Sequence, residues 1–472
     1  MLKTLEPNAV IKTSPSKADE DIRFLKDTMV VDYGLSALFG LFQGVAGFLS
    51  GIAVARMLGT SGRGSLAAIQ QWCAFLSTVS LFGVQDSLLY RISKDRQRAG
   101  SLWFSAISLT LVTSGVFAFV GYLLLPRLLG SEGGDVVRLA RQLLLMVSFY
   151  YPFQMMSLMV MRGRHNLVNW NFFRISSNLA WLLVVGCGVL LQKVTLPFYI
   201  WGQGLLNIVL IVPFCLIPFK TVREDFSWDF SSWGKFLRFG GPIFLSTVPF
   251  MLVGSGRLAV FYLGSVDHHA AGLFAVAIGW GNIGIIFYQG MSNVIFPRVA
   301  EGLDRVAQRE IFSLCVRNTV AVVFPLGFFL CLLTPWLFPR LYGPNFSSAM
   351  APAVLLAGAS AVSAVRSVMR EGLKGLGRPR DVLTLDVFSV IVFAGGLFFL
   401  PIEDLVWRSA VAWSLEEFLV TLIFLFGLKR KEEMSIFGTL VPKRAELRAT
   451  WEKVAQIIAN RFPFVRRVFG TP

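Results

Sequence analysis

The chain has 472 residues, 55% of them hydrophobic and only 15% charged, with a mean hydropathy of +0.64. That much apolar surface exceeds what one soluble core buries, so the composition excludes a soluble globular protein and predicts an all-α polytopic membrane protein. The formal net charge of +16 comes from Lys and Arg scattered between apolar segments, which argues against nucleic acid as a partner and fits basic loops collected on the cytoplasmic side of many helices.

Residues 1–32 are polar and mixed in charge, without the early apolar core of a cleavable signal, and read as a cytoplasmic N-terminal segment. Apolar stretches long enough to span about 30 Å of hydrocarbon, which takes about 20 residues, then follow almost without pause. They fall at roughly 35–57, 66–90, 102–125, 139–161, 168–191 and 196–219, then 236–262, 270–296, 311–338, 350–368, 382–402 and 405–428. About 12 transmembrane helices are expected, in an N-terminal six-helix lobe over 33–220 and a C-terminal one over 236–428. A short cytoplasmic linker, 221–235, joins them.

The even-numbered connections are the richer in Lys and Arg, from Arg91, Lys94, Arg96 and Arg98 after the second helix to Arg370, Lys374, Arg378 and Arg380 after the tenth. The odd-numbered ones are poorer, apart from Arg127, Arg138 and Arg141 after the third. Both termini are therefore expected to face the cytoplasm. The basic tail, 429–472, places Leu447, Trp451, Val454 and Ile458 at helical spacing, as an amphipathic helix lying on an anionic leaflet would. No connection exceeds roughly 20 residues, so no soluble catalytic domain is expected and the chain does not read as an enzyme. The five cysteines lie in apolar runs with no ligand-like spacing, and His268 and His269 have no ligand-type neighbour in sequence, so neither a metal nor a cofactor is expected.

An internal repeat divides the chain. Leu58-Gly59-Thr60 matches Leu263-Gly264-Ser265, Gly64-Ser65-Leu66-Ala67 matches Gly272-Leu273-Phe274-Ala275, and Gly163-Arg164 matches Gly377-Arg378. Gly59, Gly64, Gly264 and Gly272 are expected to shape two equivalent turns. Six helices per copy give both copies the same orientation, related by an axis along the membrane normal.

With Leu58-Gly59 and Gly64 after the first helix, Leu341-Tyr342-Gly343-Pro344-Asn345-Phe346 before the tenth and Gly375-Leu376-Gly377-Arg378-Pro379 after it, the chain resembles the oligosaccharide flippases of the multidrug/oligosaccharidyl-lipid/polysaccharide exporter superfamily. The resemblance implies two lobes around a central cavity, moving an undecaprenyl-diphosphate-linked oligosaccharide between leaflets by alternating access for surface polysaccharides such as lipopolysaccharide or exopolysaccharide. It also implies membrane lipids, a polysaccharide polymerase and chain-length proteins as partners. Lipid II flippases of the superfamily usually carry two further helices; none is counted here, which argues against that branch. An ion-coupled multidrug exporter of the same superfamily and a membrane-embedded polysaccharide polymerase remain alternatives.

A diphosphate crossing hydrocarbon needs cations on its path, and Arg holds phosphate oxygens in a bidentate fork. Arg257, well inside the seventh helix, is the first candidate, followed by Arg174, Arg366 and Arg317 nearer the cytoplasmic ends. Snorkelling to the interface is the competing reading for each. Glu416 and Glu417 sit near the middle of the twelfth helix, where a carboxylate is costly. They read as an ion-coupling site, with Asp86 and Asp386 ranked below them, as carboxylates paired with an Arg such as Arg257 or Arg408, or as carboxyls kept protonated. Gln43, Gln85, Asn282, Gln289 and Asn293 suit sugar hydroxyls or helix-to-helix bonds equally. Trp201, Trp280 and Trp413 suit packing or interface belts better than sugar stacking.

Overall fold

The computed structural model describes residues 17–443, apart from 96, 131–133, 165, 193–194, 223–229, 284–294, 296–298 and 300–304. Its elements are α1 (Lys17–Val79), α2 (Val84–Lys94), α3 (Ala99–Leu128), α4 (Gly134–Gly163), α5 (Leu167–Leu190), α6 (Leu196–Val222) and α7 (Ser231–Val253). There follow α8 (Arg257–Val266), α9 (His268–Gly281), α10 (Arg305–Tyr342), α11 (Met350–Gly375), α12 (Pro379–Phe399), α13 (Leu405–Glu432) and the short α14 (Ile436–Leu440). The described residues contain no strand, as the backbone in lipid requires of anything but a closed barrel.

Among the described residues, ten helical stretches are long and apolar enough to cross a membrane. The difference from twelve has two sources. Phe42–Val79 holds two of the expected helices, because α1 is two helices joined at Gly59, whose φ of 67° and ψ of −173° are open only to glycine. The eighth expected helix starts as α9 and runs into residues outside those described. The N-terminal segment 1–16, Gln289, Asn293 and the tail pattern at Leu447 to Ile458 likewise lie outside them.

Helical connections alternate between two faces, one carrying the odd-numbered and the other the even-numbered connections. Among the odd connections, Arg141 is tied down locally, its guanidinium 4.1 Å from the Tyr122 ring centre and its Nε donating to the Tyr122 carbonyl. The seventh span is not continuous. It breaks at Gly254–Gly256, where Ser255 and Gly256 take φ of 55° and 64°, and α8 restarts at Arg257.

Each lobe packs its own interior: Leu66, Leu143, Tyr199 and Ile200 in the first, and Trp280, Phe338, Phe393 and Trp413 in the second, are fully or nearly fully buried. Phe328, Phe329 and Leu332 face outward from α10, as lipid-contacting side chains do. The Trp280 indole donates to Thr334 Oγ1 at 2.7 Å and that of Trp413 to the Val253 carbonyl at 3.1 Å, which makes both packing residues; Trp201 is half-exposed.

Two seams join the lobes. At the odd face, α1 beyond Gly59 lies so close to α9 that a Cβ built on Gly64 would fall on the His268 carbonyl, and one on Gly272 would fall on the Thr60 carbonyl. Lipid supplies no hydrophobic drive between helices, so close backbone approach through small residues does the holding. Of the four glycines expected to form turns, only Gly59 forms one. Gly64 and Gly272 are contact residues facing each other across the seam, and Gly264 lies inside α8 against Ala68. The second reversal is made at Asp267, extended at φ −153°, whose carboxylate accepts from the His269 backbone N–H.

His268, buried, completes this seam: its Nδ1 is 2.6 Å from Ser65 Oγ and its Nε2 3.3 Å from the Leu129 carbonyl. Arg56 adds a strap, donating to the carbonyls of Arg340 and Leu341. At the even face, Gly83 meets Gly240, Tyr90 stacks on Phe239 at 4.5 Å, and Arg91 donates to the Lys235 carbonyl.

Candidate functional site

Between the seams lies a cavity of about 340 Å³, with an adjoining chamber of about 170 Å³. One wall is α1, which presents Gly40, Gly44, Gly47 and Gly51 to it, four positions at helical spacing on one face. A Cβ on Gly47 or Gly51 would meet nothing within 4 Å, so the missing side chains are what leave the space open. Gln43, Asn178 of α5, Ser255 at the α7–α8 break and Asn282 after α9 supply polar groups.

Arg63 is the cation among the described residues lining this cavity. It lines both chambers, and among the described residues its guanidinium makes no hydrogen bond or ion pair, with Nε fully buried. No Asp or Glu is among the described residues lining either chamber. A cation inside a membrane helix costs roughly 2.5–3.5 kcal/mol on insertion scales, and among the described residues no anion offsets that for Arg63. Its position follows from the turn: with the chain reversing at Gly59, Arg63 is already one helical turn inside α1's second half.

The other candidate residues are placed as follows. Arg257 caps the restart of the seventh span and is held by Gln71 Oε1 at 2.8 Å and the Met251 carbonyl at 3.0 Å. It adjoins the smaller chamber only through Gln71, which lines it. Arg174 stacks over Trp170 with 4.8 Å between guanidinium carbon and ring centre, and its Nη2 stands 3.9 Å from where a Cβ on Gly40 would be. Arg317 is buried away from the cavity, where it donates to the Gly438 carbonyl and fastens α14 to α10. Asp86, in the first turn of α2, lies in the fields of Arg162 on one lobe and Lys374 on the other. Gln85 does not line the chambers, and its Oε1 is buried with no hydrogen-bond partner among the described residues.

Arg366 and the two glutamates belong together. Arg366 pairs through Nη1 with Glu416 and through Nε with Glu417 Oε2 at 3.1 Å, and both carboxylates are fully buried. Ser389 Oγ donates to Glu416, and Ser363 Oγ to Glu417 Oε1 at 2.8 Å. The partner of the glutamates is thus Arg366, neither Arg257 nor Arg408; Arg408 donates to the Ile402 carbonyl. One turn along α11, Arg370 pairs with Asp386 at 2.8 Å and with Glu371 at 3.0 Å, and Lys374 pairs with Glu371 at 2.7 Å. Among the described residues three cations face four carboxylates here, an excess of one formal negative charge, and Glu416 Oε2 is buried with no hydrogen-bond partner among them.

Comparison with known proteins supplies the remaining context. The chain is 23% identical over 360 residues, 73% of its own length and 72% of the other's, to the probable low-salt glycan biosynthesis flippase Agl15 of Haloferax volcanii. Its fold is similar to that of the lipid II flippase MurJ in an inward closed conformation, with a TM-score of 0.66, 14% identity and 93% of each chain covered. It is also similar to a MATE structure in complex with MaL6, with a TM-score of 0.63, 15% identity, and 85% of this chain and 96% of that one covered. Residues 30–303, more than half of the chain, match the polysaccharide biosynthesis protein family, and the chain belongs to that family.

Proposed function

We propose that the protein is a flippase that moves a polyprenyl-diphosphate-linked oligosaccharide, with undecaprenyl as the carrier, across the cytoplasmic membrane by alternating access. The observation that carries this reading is Arg63, a cation with no ion pair among the described residues, on a polar, glycine-walled cavity between the lobes. A diphosphate is the ligand chemistry that complements such a site, whereas a cationic drug needs an acid, and none is among the described lining residues. The Haloferax volcanii relative is named a probable glycan biosynthesis flippase, which supports flipping of a glycan.

The richer basic face is placed in the cytoplasm, and an inside-negative potential then favours outward movement of the anionic headgroup by about 2.3 kcal/mol per charge per 100 mV. At about 340 Å³ the cavity is at the small end of ligand sites, so the two-seam state holds the headgroup's phosphates and excludes most of the sugar. Opening either seam enlarges it. The buried cluster around Arg366 is proposed as the coupling site, where a proton on Glu416 or Glu417 cancels the excess negative charge.

Deleting the protein from its cell tests the reading. Lipid-linked oligosaccharide should accumulate on the cytoplasmic leaflet and surface polysaccharide should be lost. Normal surface polysaccharide with a new sensitivity to cationic drugs would replace this reading with drug export.

A further inference from the structure

Arg63 borders both chambers, so a phosphate held there leaves the group attached to it facing the larger or the smaller one. The smaller chamber is lined by Gln70 and Gln71 of α1, Ser255 at the α7–α8 break and Asn282 after α9, with Val260 and Ile278 on its apolar side. Its volume of about 170 Å³ is close to the roughly 150 Å³ of a cavity that accepts one benzene ring. One six-membered ring fills it, and two do not fit.

The amides here have a use that phosphate does not meet. Arg257 Nε donates to Gln71 Oε1 at 2.8 Å, and because Arg carries donors only, that bond fixes which end of the Gln71 amide is the oxygen. The Gln71 NH2 is then the end that can donate to a ligand. Asn282 Oδ1 is buried and accepts no hydrogen bond among the described residues, so it wants a donor. Ionised phosphate oxygens only accept and cannot serve Asn282. Sugar hydroxyls both donate and accept, so one ring can serve both amides, while Val260 and Ile278 suit its C–H face.

We infer that the smaller chamber is the subsite for the single sugar joined to the diphosphate, with Gln71 as donor and Asn282 as acceptor to its hydroxyls. This rests on the flippase reading and adds to it a specificity for the first sugar, the rest of the glycan lying outside the chamber. The subsite is built from both lobes, since Gln71 belongs to α1 and the Arg257 that orients it to α8.

The test uses the full-length protein in phosphatidylcholine nanodiscs. The probes are farnesyl diphosphate and the same molecule bearing one glucose, galactose or N-acetylglucosamine on its terminal phosphate. In wild type at least one of these sugars should tighten binding about tenfold over the bare diphosphate, as two further hydrogen bonds would. A second sugar added to that probe should change its affinity less than about twofold, because the chamber is already full. The ratio of sugar-bearing to bare affinity should fall about threefold in Gln71→Met and in Asn282→Leu, and to about one in the pair. Each protein is its own reference, so a general loss of affinity cancels from the ratio. Gln71→Glu keeps the acceptor for Arg257 and removes only the donor, which keeps the test valid where Gln71→Met misfolds.

A wild-type ratio of one with all three sugars, or a ratio unchanged in the Gln71/Asn282 pair, overturns the subsite and assigns the chamber to water. A gain that continues equally with the second sugar moves glycan recognition out of the chamber and overturns it too. If wild type still moves lipid-linked oligosaccharide between leaflets, the flippase reading stands in either case. Wild-type protein that binds neither probe and moves no lipid-linked oligosaccharide overturns both.

Discussion

Replacing Arg366 with Met removes the one cation shared by Glu416 and Glu417 and leaves two carboxylates, both fully buried, beside each other. Removing one partner from a buried ion pair costs about 3–5 kcal/mol, because the remaining charge stays desolvated. For a unit of 150–250 residues, the size of one lobe, about 2–4 °C per kcal/mol turns this into a drop of roughly 6–20 °C in Tm. The assay is thermal unfolding of purified protein in one fixed detergent. Adding Glu416→Gln and Glu417→Gln to Arg366→Met removes the uncompensated charges, so the triple variant should regain most of the loss. An Arg366→Met protein that melts within a degree of wild type, or a triple variant that melts no higher than the single one, would refute this assignment of charges.

Gly64→Ala drives a methyl into the His268 backbone and should part the odd-face seam; a cysteine placed at Gly47 on a cysteine-free background should then react faster with an impermeant thiol reagent from that face. Trp280→Phe should lose about 1 kcal/mol with the indole's bond to Thr334 while transport is kept, and a transport defect at full stability would return the ring to the substrate path. Glu432 accepts from both Arg309 and Arg378 at the end of α13, so Glu432→Gln should expose the segment from α14 onward to limited proteolysis; an unchanged cleavage pattern would show that the Arg317 bond to Gly438 holds α14 unaided.

The fold is legible in the sequence because spanning helices announce themselves by length and hydropathy, and the two-lobe plan because the repeated glycines recur at matching places. The site is legible in part. The spacing of Gly40, Gly44, Gly47 and Gly51 is a helical face in plain sequence, and an open wall follows once a cavity is understood as made by what is missing. Arg63 is visible but falls with the hairpin, because its depth depends on where the chain reverses. With the turn at Gly59 it is an interior residue, and with a turn centred on Gly62 it would be a loop residue.

Arg366 is misplaced by the sequence for a similar reason. The apolar run ends near 368, but α11 continues to Gly375 through Arg370 and Lys374, which their acidic partners make tolerable, so Arg366 lies more than two turns from the helix end. Which cation meets Glu416 and Glu417 is a matter of which helices pack together, some fifty residues apart along the chain, and composition has no access to that. The same holds for Arg317, whose partner Gly438 comes from a fold-back of the chain after α13.

The central claim is that Arg63 holds the headgroup's phosphates inside the membrane. It is tested most directly by reconstituting Arg63→Ala and Arg63→Lys in vesicles and measuring the leaflet-to-leaflet movement of polyprenyl-diphosphate-linked sugar. Losing charge-assisted hydrogen bonds of about 1.5–3 kcal/mol predicts turnover lowered roughly 10- to 150-fold in Arg63→Ala, with partial activity kept in Arg63→Lys. Wild-type turnover in a folded Arg63→Ala protein would contradict the account.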